Sequence, residues 1–202
     1  MNFFKKIFFW LEKPRLIMVC ENGSSSISEA IYKLLSDYFE VEKFSDSTLP
    51  FTKKDCVLVY DIRDQEKDFF KFLIKNSKQP ILIVNQTNNK DVLNLIKILP
   101  GKSSLILNFD NGENKEFKNF AKSNVLTFGF QAGSDLKISD LKSNHEVNFK
   151  ISYKGNIVPV WLDYINSNEG IYSVLAAILT AIVFNLNLVE ISQALKSLKI
   201  EI

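Results

Sequence analysis

The sequence is poor in the residues that build metal centres and covalent active sites. Its 202 residues include one histidine, His145, and two cysteines, Cys20 and Cys56. A zinc site needs several closely spaced histidine, cysteine or carboxylate ligands. A nucleophile–histidine pair needs a histidine beside its nucleophile. Neither has material here: His145 lies in a polar, turn-like stretch and reads as solvated, and each cysteine sits inside an apolar run. Such thiols behave as small hydrophobes in a reducing compartment. Charge of one sign is also missing, with 25 basic residues against 23 acidic and a formal charge of +2. That balance gives no field to hold a nucleic acid. No apolar run approaches the ~20 residues that span a bilayer, and the N-terminus lacks a small-residue cleavage site. Glycine is scarce, at 7, while phenylalanine reaches 17, the balance of a packed chain rather than a loop-rich one. The length suits one α/β domain with a full core, or that plus a small subdomain.

What is present begins with an aromatic N-terminus. Residues 1–14 mix Phe3, Phe4, Ile7, Phe8, Phe9, Trp10 and Leu11 with Lys5, Lys6 and Lys13. Two readings stay open: a helix packed on the domain or a partner, and a peripheral helix at a membrane surface. Next comes the run Leu16-Ile17-Met18-Val19, a loop around Gly23, and an amphipathic stretch with apolar residues Ile27, Ala30, Ile31, Leu34 and Leu35. Strand, tight loop and helix in that order form the setting in which backbone N–H groups and a helix N-terminus cradle a phosphate. The candidate phosphate-binding residues are Asn22, Gly23, Ser24, Ser25 and Ser26. The lysine expected after the last glycine is absent, and Ser24 stands there. Serines at this point also cap a helix with no phosphate present.

The remaining pattern alternates. Continuous apolar runs at 56–60, 81–84, 105–107 and 125–128 suit strands covered on both faces, and helix-like stretches lie at 67–75 and 91–99. Alternation of this kind predicts a mostly parallel α/β sheet flanked by helices. The period then shortens to two around Lys154-Gly155-Asn156, which predicts a small antiparallel hairpin subdomain near residues 147–163. A nearly all-apolar stretch from Gly170 to Phe184 predicts a buried helix. Asn187 and Glu190 form the capping box of a last one.

Four segments carry a resemblance. Met18 to Ile31 resembles a phosphate loop and its helix, of the form I-T-G-[ST]-x-G-K-T-[ST]. Leu105 to Asn111 resembles a V-L-N-x-D-D strand end, and Val125 to Gly129 the strand before a hairpin. Ile171 to Ile178, continued by Asn187-Leu188 and Ile191 to Leu195, resembles the family's closing helices. Together they are similar to the central ATP-binding domain of the Mur ligases, nearest the D-alanyl-D-alanine-adding branch, over about residues 15–199. The resemblance implies a P-loop-NTPase-like sheet over 15–202, preceded by the helix of 1–14, and a place in peptidoglycan precursor synthesis. It also implies where a metal would sit, with Ser25 as the loop hydroxyl and Asp61 at the position of the family's Mg²⁺-binding glutamate.

The departures shape the functional expectation. Ser24 carries no charge, whereas a charge-assisted contact is about twice as strong as a neutral one. Cys20 replaces the first loop glycine. Glu21 replaces a hydroxyl residue and aims a carboxylate at the phosphate position. After Val84-Asn85, the family's histidine and carbamoylated lysine have no counterpart, and Glu169 stands near another family histidine. The family's UDP-sugar and amino-acid domains are expected to be absent. The expectation is therefore a degenerate, non-catalytic module with no catalytic residue and no cofactor. Its expected partner is a protein such as an intact cell-wall ligase, and its expected place the cytoplasm, with residues 1–14 at the membrane face. The alternative is an ATP- and Mg²⁺-binding domain or weak ATPase completed by a partner chain.

Overall fold

A computed structural model describes residues 3–22, 26–44, 49–50, 52–62, 67–86, 92–143, 147–162 and 167–197. A helix, α1 (Phe3–Glu12), precedes the alternating body. That body runs β1 (Arg15–Cys20), α2 (Ser26–Ser36), β2 (Val41–Phe44), β3 (Val57–Asp61), α3 (Lys67–Asn76), β4 (Pro80–Val84), α4 (Val92–Ile98) and β5 (Ser104–Asn108). It continues through α5 (Gly112–Phe117), β6 (Asn124–Gly129), β7 (Leu136–Ser143), β8 (Val147–Tyr153), β9 (Asn156–Leu162), α6 (Asn168–Val183) and α7 (Leu188–Ser197).

The nine strands among the described residues form one sheet, in the order β2-β3-β1-β4-β5-β6-β7-β8-β9. Pairing is parallel from β2 to β7 and antiparallel from β7 to β9. Side chains on a strand alternate between faces, and a sheet covered on both sides therefore needs apolar residues at every position. β1 shows the result: Ile17 and Val19 enter one core, while Leu16, Met18 and Cys20 enter the other. The first core is closed by α2, α6 and α7, and the second by α1, α3 and α4.

The hairpin lies where the change of period placed it. It is joined to the parallel sheet by β7, which pairs with β6 through Phe128 and Gly129 on one side and with β8 on the other. The sequence pattern did not mark β7, because Lys137, Ser139, Asp140 and Lys142 dilute its alternation. The short edge strand β2 was also unmarked. At the other edge, the Ser192 hydroxyl of α7 donates to the Pro159 carbonyl of β9, at 2.6 Å.

α6 is buried almost throughout, as its composition requires, and packs across α2. Ser167 caps it, its Oγ accepting from Gly170 N at 3.1 Å. The capping box at α7 is present. Asn187 Oδ1 accepts from Glu190 N at 2.9 Å, and Glu190 Oε2 accepts from Asn187 N at 3.2 Å. Cys20 and Cys56 are buried free thiols. His145 lies outside the described residues. Among the described residues, no helix is long and apolar enough to cross a membrane.

Candidate functional site

β1 leaves the sheet between β3 and β4, and a ligand crevice in an open α/β sheet forms at the carboxyl ends of strands at such a point. Three chain segments meet there. Glu21 follows β1, Asp61 ends β3, and the first turn of α2 lies between them, beside the start of α6.

The N-terminus of a helix exposes unpaired N–H groups and the positive end of its dipole, a ready anion site. At α2 the anion is supplied internally. Glu21 Oε1 accepts from Ile27 N at 3.2 Å, and Glu21 Oε2 accepts from Ser26 Oγ at 3.1 Å. Ser173 Oγ of α6 stands 2.9 Å from Ser26 Oγ and equally 2.9 Å from the Glu169 carbonyl. A relay Ser173–Ser26–Glu21 therefore ties α6, α2 and the end of β1 together. Beside it, the Ser28 hydroxyl donates to Asp61 Oδ1. Burial raises the Glu21 carboxyl to a pKa of about 7; the hydrogen bonds from Ile27 and Ser26 oppose that rise, and the nearby Asp61 charge adds to it.

The residues singled out from sequence are distributed as follows. Ser26 is buried at the first turn of α2 and engaged with Glu21. Asn22 is exposed just beyond Glu21. Gly23, Ser24 and Ser25 lie outside the described residues. Of the proposed metal pair Ser25 and Asp61, only Asp61 is described, and one of its oxygens already receives the Ser28 hydroxyl. Among the described residues, no group of three histidine, cysteine, aspartate or glutamate side chains is placed to hold a metal. In the described part of the crevice, the Ile27 N–H at the helix start, which a phosphate oxygen would meet, is already bonded to the Glu21 carboxyl.

Further along the same sheet edge, polar groups again pair with one another. Asn108 Nδ2 donates to Asn85 Oδ1 at 2.8 Å. Asn114 Nδ2 reaches the carbonyls of Asn85 at 2.8 Å and Asn108 at 3.1 Å. Asp110, in the strand-end motif, accepts from Phe130 N at 2.7 Å, Gln131 N at 3.0 Å and Tyr172 Oη at 3.0 Å. Burial first, and the Asp110 bond second, push the Tyr172 phenol up to about 12. Gly129 is required here, because a Cβ on it would lie 2.7 Å from the Asp110 carboxylate.

Ser28, Ser173 and the Asp110–Tyr172 pair were not foreseen as site residues. All four fell inside quoted motifs: Ser28 in Met18 to Ile31, Asp110 in Leu105 to Asn111, and Tyr172 and Ser173 in Ile171 to Ile178. A hydroxyl in the first turn of a helix is a visible signal. Which carboxylate it meets depends on strand order, and the sequence does not state strand order.

This architecture is the fold of the Mur ligase central domain. MurF from Acinetobacter baumannii is similar with a TM-score of 0.77 at 14% identity, over 96% of this chain and 49% of that one. The MurF ligase from Thermotoga maritima in complex with ADP matches with a TM-score of 0.72 at 16% identity, over 96% of this chain and 51% of that one. The UDP-N-acetylmuramate:L-alanyl-gamma-D-glutamyl-meso-diaminopimelate ligase from Neisseria meningitides matches at 0.66 and 10% identity, over 93% and 66%. The chain spans about half the length of the MurF structures it resembles. No protein-family model and no curated protein matches its sequence.

Proposed function

We propose that the chain is a degenerate Mur-ligase-like module of peptidoglycan precursor synthesis, nearest the D-alanyl-D-alanine-adding branch, which acts by binding rather than by catalysis. Residues 15–202 form the module and residues 1–14 an appended helix, and its partner is an intact cell-wall ligase. The shared fold supports the family assignment. The order of the four motifs supports the branch.

One observation carries the non-catalytic reading: the Glu21 carboxylate sits on the N-terminus of α2. Phosphoryl transfer rests on positioning and on positive charge around the phosphates. Here Ser24 removes a cation, and Glu21, whose carboxyl is raised to about 7, adds an anion as pH rises through neutrality. Once it is ionised, two unit charges ~4 Å apart at an effective dielectric of ~20 repel by ~4 kcal/mol; below that pH the neutral carboxyl still occupies the helix start.

Calorimetry of Mg²⁺–ADP and Mg²⁺–ATP against the chain and a Glu21→Ser/Ser24→Lys variant tests this. The chain as it stands gives no binding heat, and the variant, with the anion removed and the cation restored, binds. Micromolar binding by the unaltered chain refutes the proposal and supports the reading of an ATP- and Mg²⁺-binding domain completed by a partner chain.

A further inference from the structure

α1 is inside out for a helix in water. Its residues fall into stripes at the i, i+4, i+7 spacing of one helical face. Phe3, Ile7 and Trp10 make one stripe and Phe4, Phe8 and Leu11 the adjacent one. These six side chains are between 36% and 70% exposed. The stripe turned towards the domain is Lys5, Phe9 and Glu12. Only Phe9 in α1 is buried, fitting the core beneath α3 with its ring 5.6 Å from that of Phe72. Soluble helices put their polar residues outward, and contiguous exposed apolar patches of this kind mark interaction surfaces.

The helix is held in this orientation. Beyond the Phe9 anchor, Lys6 Nζ stands 5.6 Å from the centre of the Phe72 ring. The following backbone is fixed by Lys13 N donating to Phe9 O at 3.0 Å and Lys78 N donating to Pro14 O at 3.0 Å. The outward stripes are therefore presented by the fold, not left over from a frayed end.

Charge and side-chain type select the occupant. Three lysines, Lys5, Lys6 and Lys13, stand against Glu12 alone, which leaves residues 3–13 with a net charge of +2. The helix carrying Phe72 adds exposed Lys75, while its Lys71 is paired with Asp68 at 3.5 Å. Phe, Trp and Leu on one side with lysines at the margins is the composition of a helix lying in the plane of a membrane interface. Its ten residues give a length of ~15 Å, which suits lying in a bilayer surface and not crossing it. We propose that α1 docks the chain on an anionic lipid surface. The two apolar stripes enter the acyl boundary and the lysines meet lipid phosphates.

The test uses the full chain with Trp161→Phe, so that Trp10 is the sole indole, and vesicles of phosphatidylcholine with or without phosphatidylglycerol. Co-sedimentation with the anionic vesicles and a blue shift of Trp10 emission are expected. Both weaken as salt rises. Phe8→Glu/Leu11→Glu, placed on exposed positions, lowers the bound fraction at least ~10-fold, equivalent to ~1.4 kcal/mol, with unchanged circular dichroism. The proposal is overturned by absence of binding to either vesicle, or by equal binding to neutral vesicles. It is also overturned by lipid-free self-association that the same pair of substitutions abolishes, which would make a second copy the occupant. None of these outcomes depends on nucleotide binding.

Discussion

Replacing Glu21 with glutamine tests whether the carboxylate is held against α2. Its carboxyl is raised from 4.5 to about 7, chiefly by burial. Between those two values the folded chain keeps a proton that the unfolded chain has released. Stability therefore falls as pH rises across this window. The contribution is complete below pH 4.5 and gone above about pH 7, a total of ~3 kcal/mol at 1.36 kcal/mol per unit. Glutamine fixes the neutral form and keeps an oxygen for Ile27 N or Ser26 Oγ. Glu21→Gln should therefore match the parent near pH 4.5 and exceed it by ~3 kcal/mol at pH 8, roughly 6–12 °C in Tm for a chain of this size. Urea unfolding followed by circular dichroism at several values between pH 5 and 8 reads the difference. Groups common to both proteins cancel, including Glu29, whose depressed carboxyl acts in the opposite sense as pH falls. Parallel stability curves for the two proteins would refute the placement of Glu21 and remove the ground for an occupied anion site.

Three further substitutions probe the framework. Gly129→Ala drives a Cβ against a carboxylate pinned by Phe130 N, Gln131 N and Tyr172 Oη. It should cost ~2 kcal/mol and let the Tyr172 phenol titrate lower, read by ultraviolet titration; an unmoved phenol would count against the pinned geometry. Phe9→Ala empties a fully buried site and should cost ~3–5 kcal/mol in urea unfolding. Leu11→Glu on the exposed face should stay within ~0.5 kcal/mol, and equal losses would mean that the two faces of α1 are misassigned.

Much of the fold was legible because its signals are local. The continuous runs at Ile17, Val59, Ile83 and Ile106 announce strands covered on both faces, and the capping box at Asn187 announces the last helix without reference to anything distant. β7 escaped because its outer face carries Lys137 and Lys142 and its register is set by neighbours on both sides. The candidate site was legible as a location and not as a geometry. Glu21 could be seen as an unwelcome charge in a phosphate loop. That it would bend back to bond Ile27 N depends on the path of the loop, and that Ser28 would find Asp61 33 residues away depends on β3 lying beside β1. The inverted polarity of α1 was likewise readable only as an aromatic N-terminus. Phe9 looks like its neighbours in sequence, and only packing shows which of them turns inward.

The bond from Ser192 to the Pro159 carbonyl decides how the sheet ends. That carbonyl points away from β8, and a strand residue turns its nitrogen to the same side as its carbonyl, so the proline occupies the position whose N–H would have faced outward. An unpaired N–H there would invite a strand from another molecule; proline offers none, and Ser192 takes the acceptor. At this point the border of β9 is closed to templated growth by a missing hydrogen and a borrowed hydroxyl. A chain whose α1 gathers copies at a crowded lipid surface would gain from an edge strand interrupted in this way.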